Sequence, residues 1–297
     1  MKTEEALKAG FIGLGAMGAP MAKRLDAAGR LAAVWNRTPG RLEAFVGEPA
    51  VLKCDSPAAV ARAAPVVITC VSADTDLVEV MDQLLPALGQ DGVVIDCSTV
   101  SRAAAVAAAE RVAACGGTFL DAPVSGGVEG ARAGSLAMMV GGDAAVLERV
   151  RPVLEAMAQR VTHMGPVGSG QATKAVNQIM AAGINQAVTE ALAFAEAQGL
   201  PLDRVIEVVG AGAAGNWFLD HRGPSMVARR FQPGFRTALH HKDLLICRQM
   251  AQALGVALPV VEMTLIHYQR LMEAGFGDED ISTLYRHKRA LFDSGDR

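Results

Sequence analysis

Aromatic residues are scarce: nine Phe, two Trp and two Tyr amount to 4% of the 297 residues. That leaves little ring surface on which nucleobases could stack. An excess of charge of either sign is also missing. Lys and Arg number 28 against 31 Asp and Glu, for a formal charge of −3 with histidines neutral. Such a balance provides no global field for a nucleic-acid backbone and no basic tail for an anionic membrane. Hydrophobic residues make up 51% of the chain, yet no run of about 18 residues escapes charged or polar interruption, so no membrane span is expected. Cysteine is limited to Cys54, Cys70, Cys97, Cys115 and Cys247, an odd number without a C-x-x-C pair. Several sit in apolar runs such as Val66-Val67-Ile68-Thr69-Cys70, which fits buried, reduced thiols better than a disulfide frame or a zinc site. The first ten residues carry Lys2, Glu4, Glu5 and Lys8 and cannot form the apolar core of a signal peptide, so the cytoplasm is the expected compartment.

What is present is a rhythm. Short apolar runs at 9–14, 31–35, 66–71, 93–97, 118–121 and 136–141 read as strands, and amphipathic stretches such as 17–28, 57–63, 77–88 and 103–115 read as helices. Strands alternating with helices imply a mostly parallel sheet covered on both faces. After about residue 165 the strand pattern stops. A proline-free run over 170–198, interrupted only by Gly183, ends at Gly199-Leu200-Pro201, a glycine stop followed by a proline. Further helices are expected at 202–209, 242–254, 259–273 and 281–292. The reading is an α/β domain over 1–166, a long connecting helix, and an all-α domain within 167–297.

Gly13-Leu14-Gly15-Ala16-Met17-Gly18 is G-x-G-x-x-G between a predicted strand and a predicted helix. Gly13 permits the tight turn, Gly15 lets the backbone approach a pyrophosphate, and Gly18 allows close helix–strand packing. Dinucleotide binding is the function this context supports. An NAD-preferring site usually ends the second strand in Asp or Glu, which accepts from the ribose 2′-hydroxyl. Here the segment is Trp35-Asn36-Arg37-Thr38. A guanidinium grips a 2′-phosphate that a carboxylate would repel, so NADP(H) is preferred, with NAD(H) as the second option. Val71, which ends the 66–71 strand, and Ser72 after it join the expected cofactor contacts.

Three more segments carry chemistry. Asp96-Cys97-Ser98-Thr99-Val100 and Asp121-Ala122-Pro123-Val124-Ser125-Gly126-Gly127 each follow a predicted strand, so their polar groups emerge at the carboxyl edge of the sheet. Ser125 with two following glycines offers a hydroxyl and closely spaced N–H groups to a carboxylate, although Ser-Gly-Gly is also an ordinary turn. In Gly168-Ser-Gly-Gln171-Ala-Thr-Lys174-Ala-Val-Asn177-Gln178, helical offsets place Gln171, Lys174, Asn177 and Gln178 on one polar face. A partly desolvated lysine near a helix N-terminus suits general acid–base work, whereas the bland reading is a solvated surface lysine. His240 and His241 diverge on a helix, no H-x-x-x-H accompanies them, and no metal is expected. No G-x-S-x-G elbow appears, which disfavours a hydrolase. Asp278-Glu279-Asp280 reads as a solvated cluster, with Asp280 or Ser282 as N-cap.

Taken together, the 13–22 segment, Asp121 to Gly127, and Gly168-x-Gly170-x-x-x-Lys174-x-x-Asn177 resemble the β-hydroxyacid dehydrogenase family over nearly the full length. The resemblance implies a Rossmann domain plus a helical domain, like 6-phosphogluconate dehydrogenase, with the active site in the cleft between them. It implies Lys174 as the catalytic acid/base and Ser125, Gly126 and Gly127 as holders of a substrate carboxylate. Thr99 would lie near nicotinamide and substrate, and Asn177 would orient Lys174 or the substrate. The stretch from Gln232 to Leu244 is similar to tartronate semialdehyde reductases, which implies Lys242 at the cofactor and Phe235 and Asp243 in the substrate pocket. Those enzymes also carry Gln where this chain has Gln178, a further substrate contact. The 35–38, 210–213 and 274–280 segments look more like NADPH-dependent glyoxylate and succinic semialdehyde reductases. The expected protein is an NADP(H)-dependent oxidoreductase acting on a small 3-hydroxy acid or its semialdehyde, as a homodimer or homotetramer, without nucleic-acid or membrane partners. The competing readings are a non-catalytic NADP-binding scaffold, which retention of Lys174 disfavours, and an imine reductase, whose members usually lack that lysine.

Overall fold

The computed structural model describes residues 7–45 and 51–292, so the charged positions Lys2, Glu4 and Glu5 lie outside it. The chain divides into two compact units, Met1–Lys174 and Ala175–Arg297. This packing boundary lies within the long helix, beyond the 166/167 boundary expected from the pattern, because the helix start is bonded to the first unit.

Unit 1 runs β1 (Ala9–Ile12), α1 (Gly18–Ala27), β2 (Leu31–Trp35), β3 (Leu52–Lys53), α2 (Pro57–Ala63), β4 (Val66–Thr69), α3 (Asp74–Leu84), β5 (Val93–Asp96), α4 (Arg102–Ala114), β6 (Thr118–Asp121), β7 (Val124–Ser125), α5 (Gly127–Ala133), β8 (Leu136–Gly141), α6 (Ala144–Leu154) and β9 (Ala158–Gly165), and reaches the start of α7 (Ser169–Ala197). The first six strands are parallel in the order β3-β2-β1-β4-β5-β6, the Rossmann order. Strand β8 joins β6 and β7 antiparallel, and β9 adds parallel to β8.

The sequence explains the layers. All four residues of β4 are buried; Val66 and Ile68 join one apolar cluster with Met21, Leu25, Leu147 and Val150, while Val67 faces Val60, Leu77, Met81 and Val112. A strand covered on both sides must be apolar throughout. Local signals set the helix starts. Ser56 accepts from the Ala59 N–H before Pro57, Ser101 from Ala104, and Asp143 from Val146.

Several expected elements shift. Strands β1, β4 and β5 stop one or two residues early, at Ile12, Thr69 and Asp96. The ladder nonetheless continues through the N–H groups of Gly13, Cys70 and Cys97 to Trp35, Ile12 and Thr69 carbonyls at 2.8–2.9 Å. Helix α3 begins at Asp74 rather than Leu77 and gives way to a 3-10 turn at Leu85–Ala87, where Pro86 lacks the N–H an α-helix needs. Strands β3, β7 and β9 are additional to the expected set.

Unit 2 consists of the rest of α7 with α8 (Leu202–Gly210), α9 (Trp217–Val227), α10 (Thr237–Ala253), α11 (Pro259–Glu273) and α12 (Leu284–Ala290). Helix α7 passes through Gly183 without interruption and ends at Ala197, followed by Gly199 at φ +70°, where the Leu200 N–H turns back to the Ala195 carbonyl. Helix α10 begins at Thr237, five residues ahead of its expected start, so His240 to Asp243 are helical throughout. The expected 281–292 helix is a 3-10 turn at Ile281–Thr283 followed by α12. One core cluster joins Ala182, Leu244, Val261, Leu265 and Tyr268, and another joins Val188, Leu192, Leu219, Met226 and Tyr285. Among the described residues no helix is long and apolar enough to cross a membrane. All five cysteines lie among the described residues and none is in a disulfide; Cys97 and Cys247 are buried, but Cys115 is exposed rather than in a core.

Candidate functional site

In unit 1 the glycine-rich turn has the geometry a dinucleotide needs. Gly13 adopts φ +98°, and a Cβ there would lie 2.3 Å from the Cys70 carbonyl oxygen. A Cβ on Gly18 would lie 1.9 Å from the Gly13 oxygen, so helix α1 can approach only without a side chain. Gly15 differs: nothing comes within 4 Å of its missing Cβ, which leaves open space above the backbone. No side chain caps α1, and since the Ala19 N–H turns back to the Gly15 carbonyl at 3.1 Å and Pro20 has no N–H, an anion would meet the backbone of the turn itself, up to Gly18. These residues fit a pyrophosphate: Leu14, Ala16 and Met17 supply backbone between the glycines, and their turn stands beside the ends of β2 and β4.

The end of β2 behaves unexpectedly. Asn36 directs its side-chain oxygen to the Leu14 N–H at 2.7 Å and its amide to the Thr38 carbonyl at 3.0 Å, so it braces the glycine turn. Arg37 is exposed but occupied: Nη1 bonds Asp76 at 2.8 Å and Glu79 at 3.3 Å, both on α3. A guanidinium expected to await a phosphate already holds two carboxylates.

Beyond β4 and β5 the polar groups form a connected set. Thr69 and Ser98 donate hydroxyl bonds to Asp96 Oδ1 at 2.7 and 2.6 Å, and the Val71 N–H donates to Ser98 Oγ at 2.8 Å. The Asp96 carboxyl is fully buried, and burial pushes its pKa up to about 6 against those donors. Gln171 accepts from the Val100 N–H at 3.3 Å and donates to the Ser98 carbonyl at 2.8 Å, clamping the backbone on both sides of half-buried Thr99. Ser72 is exposed at the start of the loop after β4.

Asp121, at the end of β6, ties the start of α7 to the sheet. Its oxygens accept from the Gly168 N–H at 2.7 Å and the Gln171 N–H at 2.9 Å. Burial raises its pKa, and those N–H bonds oppose the shift. Glycine is required around it, since a Cβ on Gly170 would lie 2.3 Å from the Met139 oxygen and one on Gly141 would lie 2.3 Å from Asp121 Oδ1. Gly170→Ala is therefore expected to destabilise the protein by about 1–3 kcal/mol through overpacking, read as a lower urea midpoint. An unchanged midpoint would show that the helix start is free to move.

Lys174, one turn further along α7, is 8% exposed. Its Nζ donates to the Val124 carbonyl at 2.8 Å, directly before Ser125. Ser125 ends β7, opposite Ala137, and Gly126 and Gly127 follow at φ +131° and +62°, both exposed. The segment is thus a strand end entering helix α5, not a loose turn, and the lysine is not a solvated surface residue.

Unit 2 gathers the remaining candidates into one network. Asn177 donates to Gln178 at 2.7 Å, Gln178 donates to Asp243 at 2.6 Å, and Lys242 pairs with Asp243 at 3.0 Å. Phe235 lies 5.1 Å, ring to ring, from His240. His240, which the sequence offers only as a failed metal ligand, is a fully buried link. Its Nε2 faces the Gln178 carbonyl at 3.2 Å and its Nδ1 the Tyr268 hydroxyl at 3.1 Å, and that hydroxyl accepts from Asn185 at 3.1 Å. The carbonyl only accepts, so this network assigns the proton to Nε2. Among the described residues no cluster of three His, Cys, Asp or Glu could hold a metal.

The 278–280 cluster requires correction. Asp278 is exposed, but Asp280 is buried and accepts from Arg222 at 2.9 Å, Phe235 N–H at 2.9 Å, Gly234 N–H at 3.1 Å and Ser282 N–H at 3.0 Å. It is the expected N-cap of the 281–283 turn, and it also fixes the loop that carries Phe235.

Comparison with known proteins agrees with both halves of this description. Residues 8–165 match the family described as the NAD binding domain of 6-phosphogluconate dehydrogenase, and residues 168–288 match the NAD-binding family of NADP-dependent 3-hydroxyisobutyrate dehydrogenase. The chain is 38% identical over 262 residues to 2-hydroxy-3-oxopropionate reductase of Escherichia coli, covering 85% of this chain and 87% of that protein. It is 35% identical over 297 residues to the NAD-dependent L-serine dehydrogenase of Pseudomonas aeruginosa, covering 95% and 97%. Among solved structures, Mycobacterium tuberculosis 3-hydroxyisobutyrate dehydrogenase with L-serine superposes with a TM-score of 0.87 at 33% identity, covering 95% of this chain and 99% of that one.

Proposed function

The chain belongs to the β-hydroxyacid dehydrogenase family, and within it we propose an NADP(H)-dependent oxidoreductase that interconverts a small 3-hydroxy acid and its semialdehyde. Family membership makes it an NAD(P)-dependent β-hydroxyacid dehydrogenase or semialdehyde reductase; the cofactor preference and the substrate are our reading.

The observation that carries the reading is Lys174. A lysine that is 8% exposed and held 2.8 Å from the Val124 carbonyl shares its anchor with the Ser125-Gly126-Gly127 turn. An acid–base group and a carboxylate holder are thus joined through one residue of backbone. Bound nicotinamide supplies the hydride in reduction and accepts it in oxidation. In the reducing direction Lys174 gives the Nζ proton to the carbonyl oxygen as its carbon becomes an alcohol; in oxidation Nζ takes the hydroxyl proton. The Ser125 hydroxyl and the N–H groups of Gly126 and Gly127 take the substrate carboxylate, which fixes the carbonyl in reach of the lysine. The preference for NADP(H) rests on the end of β2, where Asn36 commits its oxygen to the Leu14 N–H and Arg37 offers a cation.

The deciding measurement is oxidation of NADPH and NADH with tartronate semialdehyde, glyoxylate, succinic semialdehyde and methylmalonate semialdehyde. Turnover of at least one is expected, with the higher kcat/KM for NADPH. Failure of all four with both cofactors would overturn the reading and leave a dinucleotide-binding scaffold.

A further inference from the structure

The pairing of Arg37 has a consequence for how strongly the two cofactors are distinguished. Arg37 directly follows Asn36, which braces the glycine turn, and Arg41 Nη1 reaches the Leu14 carbonyl at 3.4 Å. The segment after β2 thus carries two guanidinium groups, one of which touches the turn. Against them stand Asp76, in the first turn of α3, and Glu79, one turn later. The Asp76 side chain is 19% exposed while that of Arg37 is 69% exposed, so the carboxylate is the fixed partner and the arginine the adaptable one. The helix N-terminus further favours a negative charge at Asp76. Counted together, two cations and two anions leave no positive surplus for a phosphate carrying more than one negative charge.

We infer that Asp76 and Glu79 set the cofactor preference by competing with a 2′-phosphate for Arg37, so that the protein favours NADP(H) only modestly and also uses NAD(H). The inference rests on the proposed role of Arg37 toward that phosphate. The bonds to both carboxylates run through Nη1. A phosphate approaching Arg37 must either share the guanidinium with them, which places a dianion beside two carboxylates, or draw it away, which breaks both ion pairs. NAD(H) bears no such phosphate and is indifferent to them.

The test is calorimetric and independent of substrate. The Kd values of NADPH and NADH are measured for the unmodified protein, for Arg37→Ala and for the double variant Asp76→Asn/Glu79→Gln. The double variant should bind NADPH roughly fivefold more tightly, as expected for removing two exposed competing ion pairs, with NADH unchanged. That gain should shrink at high ionic strength, where exposed charges are screened. Arg37→Ala should weaken NADPH alone. If Arg37→Ala weakens NADPH but the double variant binds NADPH equally or less tightly, the carboxylates position the arginine instead of competing with the phosphate, and the inference fails alone. If Arg37→Ala leaves NADPH unchanged, the inference and the phosphate role of Arg37 fail together.

Discussion

Lys174→Ala is expected to lower kcat at least about 100-fold while leaving the Kd of NADPH within about twofold. General acid–base catalysis typically supplies 10²- to 10⁴-fold, and among the residues proposed to act in unit 1 only Lys174 offers a titratable side chain at the carboxylate turn. The cofactor loop is a separate piece of backbone, built on Gly13, Gly15 and Gly18 and braced by Asn36, so truncating the lysine leaves it intact. Lys174→Arg sharpens the test. It keeps a cation that can donate to the Val124 carbonyl, but a guanidinium does not give up its proton near neutral pH. Equal collapse in both variants assigns proton transfer to Lys174. Recovery in the arginine variant would reduce the lysine to an electrostatic anchor, and retention of more than a tenth of kcat in Lys174→Ala would remove it from the chemistry.

Much of unit 1 was legible because its strands are buried on both faces and are apolar up to their last residue, as at Val66–Thr69 and Val93–Asp96. Elements lacking that signature escaped the pattern. Strand β9 is mostly exposed and carries Gln159, Arg160, Thr162 and His163, so it shows neither an apolar run nor a clean alternation. Helix α6 contains Pro152 and α9 contains Gly223 and Pro224, residues that read as breaks in a local pattern but are accommodated near the helix ends. The candidate site divides the same way. Glycines at 13, 15 and 18 were readable because they form one local G-x-G-x-x-G motif, whereas the crowding that requires glycine at 170 comes from Met139 and Asp121, distant in the sequence. Asp121, His240 and Asp280 were not, because their roles come from partners such as Gly168, Tyr268 and Arg222, each more than 25 residues away in the sequence. An Asp that closes an apolar strand, as Asp96 and Asp121 both do, is the one local hint of a buried carboxylate. For Arg37 the sequence shows a cation just after β2 but not the carboxylates of α3 that reach it.

Asp280→Ala should cost unit 2 about 3–5 kcal/mol at pH 7, the range for removing one partner of a buried ion pair. The Arg222 side chain is 14% exposed, and its guanidinium lies 5.0 Å from the Trp217 ring and 4.8 Å from the Phe218 ring, so water cannot fully replace the lost carboxylate. The Gly234, Phe235 and Ser282 N–H groups lose their acceptor in the same step. Because the two units need not unfold together, the measurement should follow unit 2 alone. Trp35 lies in unit 1 and Trp217 in unit 2, so urea unfolding in a Trp35→Phe background reports on the second through Trp217 fluorescence. Acidity gives an independent check. Burial by itself would push the Asp280 carboxyl up, but Arg222 and the N–H donors outweigh it and hold the carboxyl below its usual range. A depressed carboxylate stabilises the fold fully above its unfolded pKa, near 4, and loses that contribution as pH falls through the lower folded value. The gap between Asp280→Ala and the unmodified side chain should therefore be constant from pH 7 to about pH 5 and narrow below about pH 4. A cost under about 1 kcal/mol at pH 7, or a gap that widens in acid, would show that Arg222 and the 231–236 loop find other partners and that Asp280 does not hold Phe235 in place.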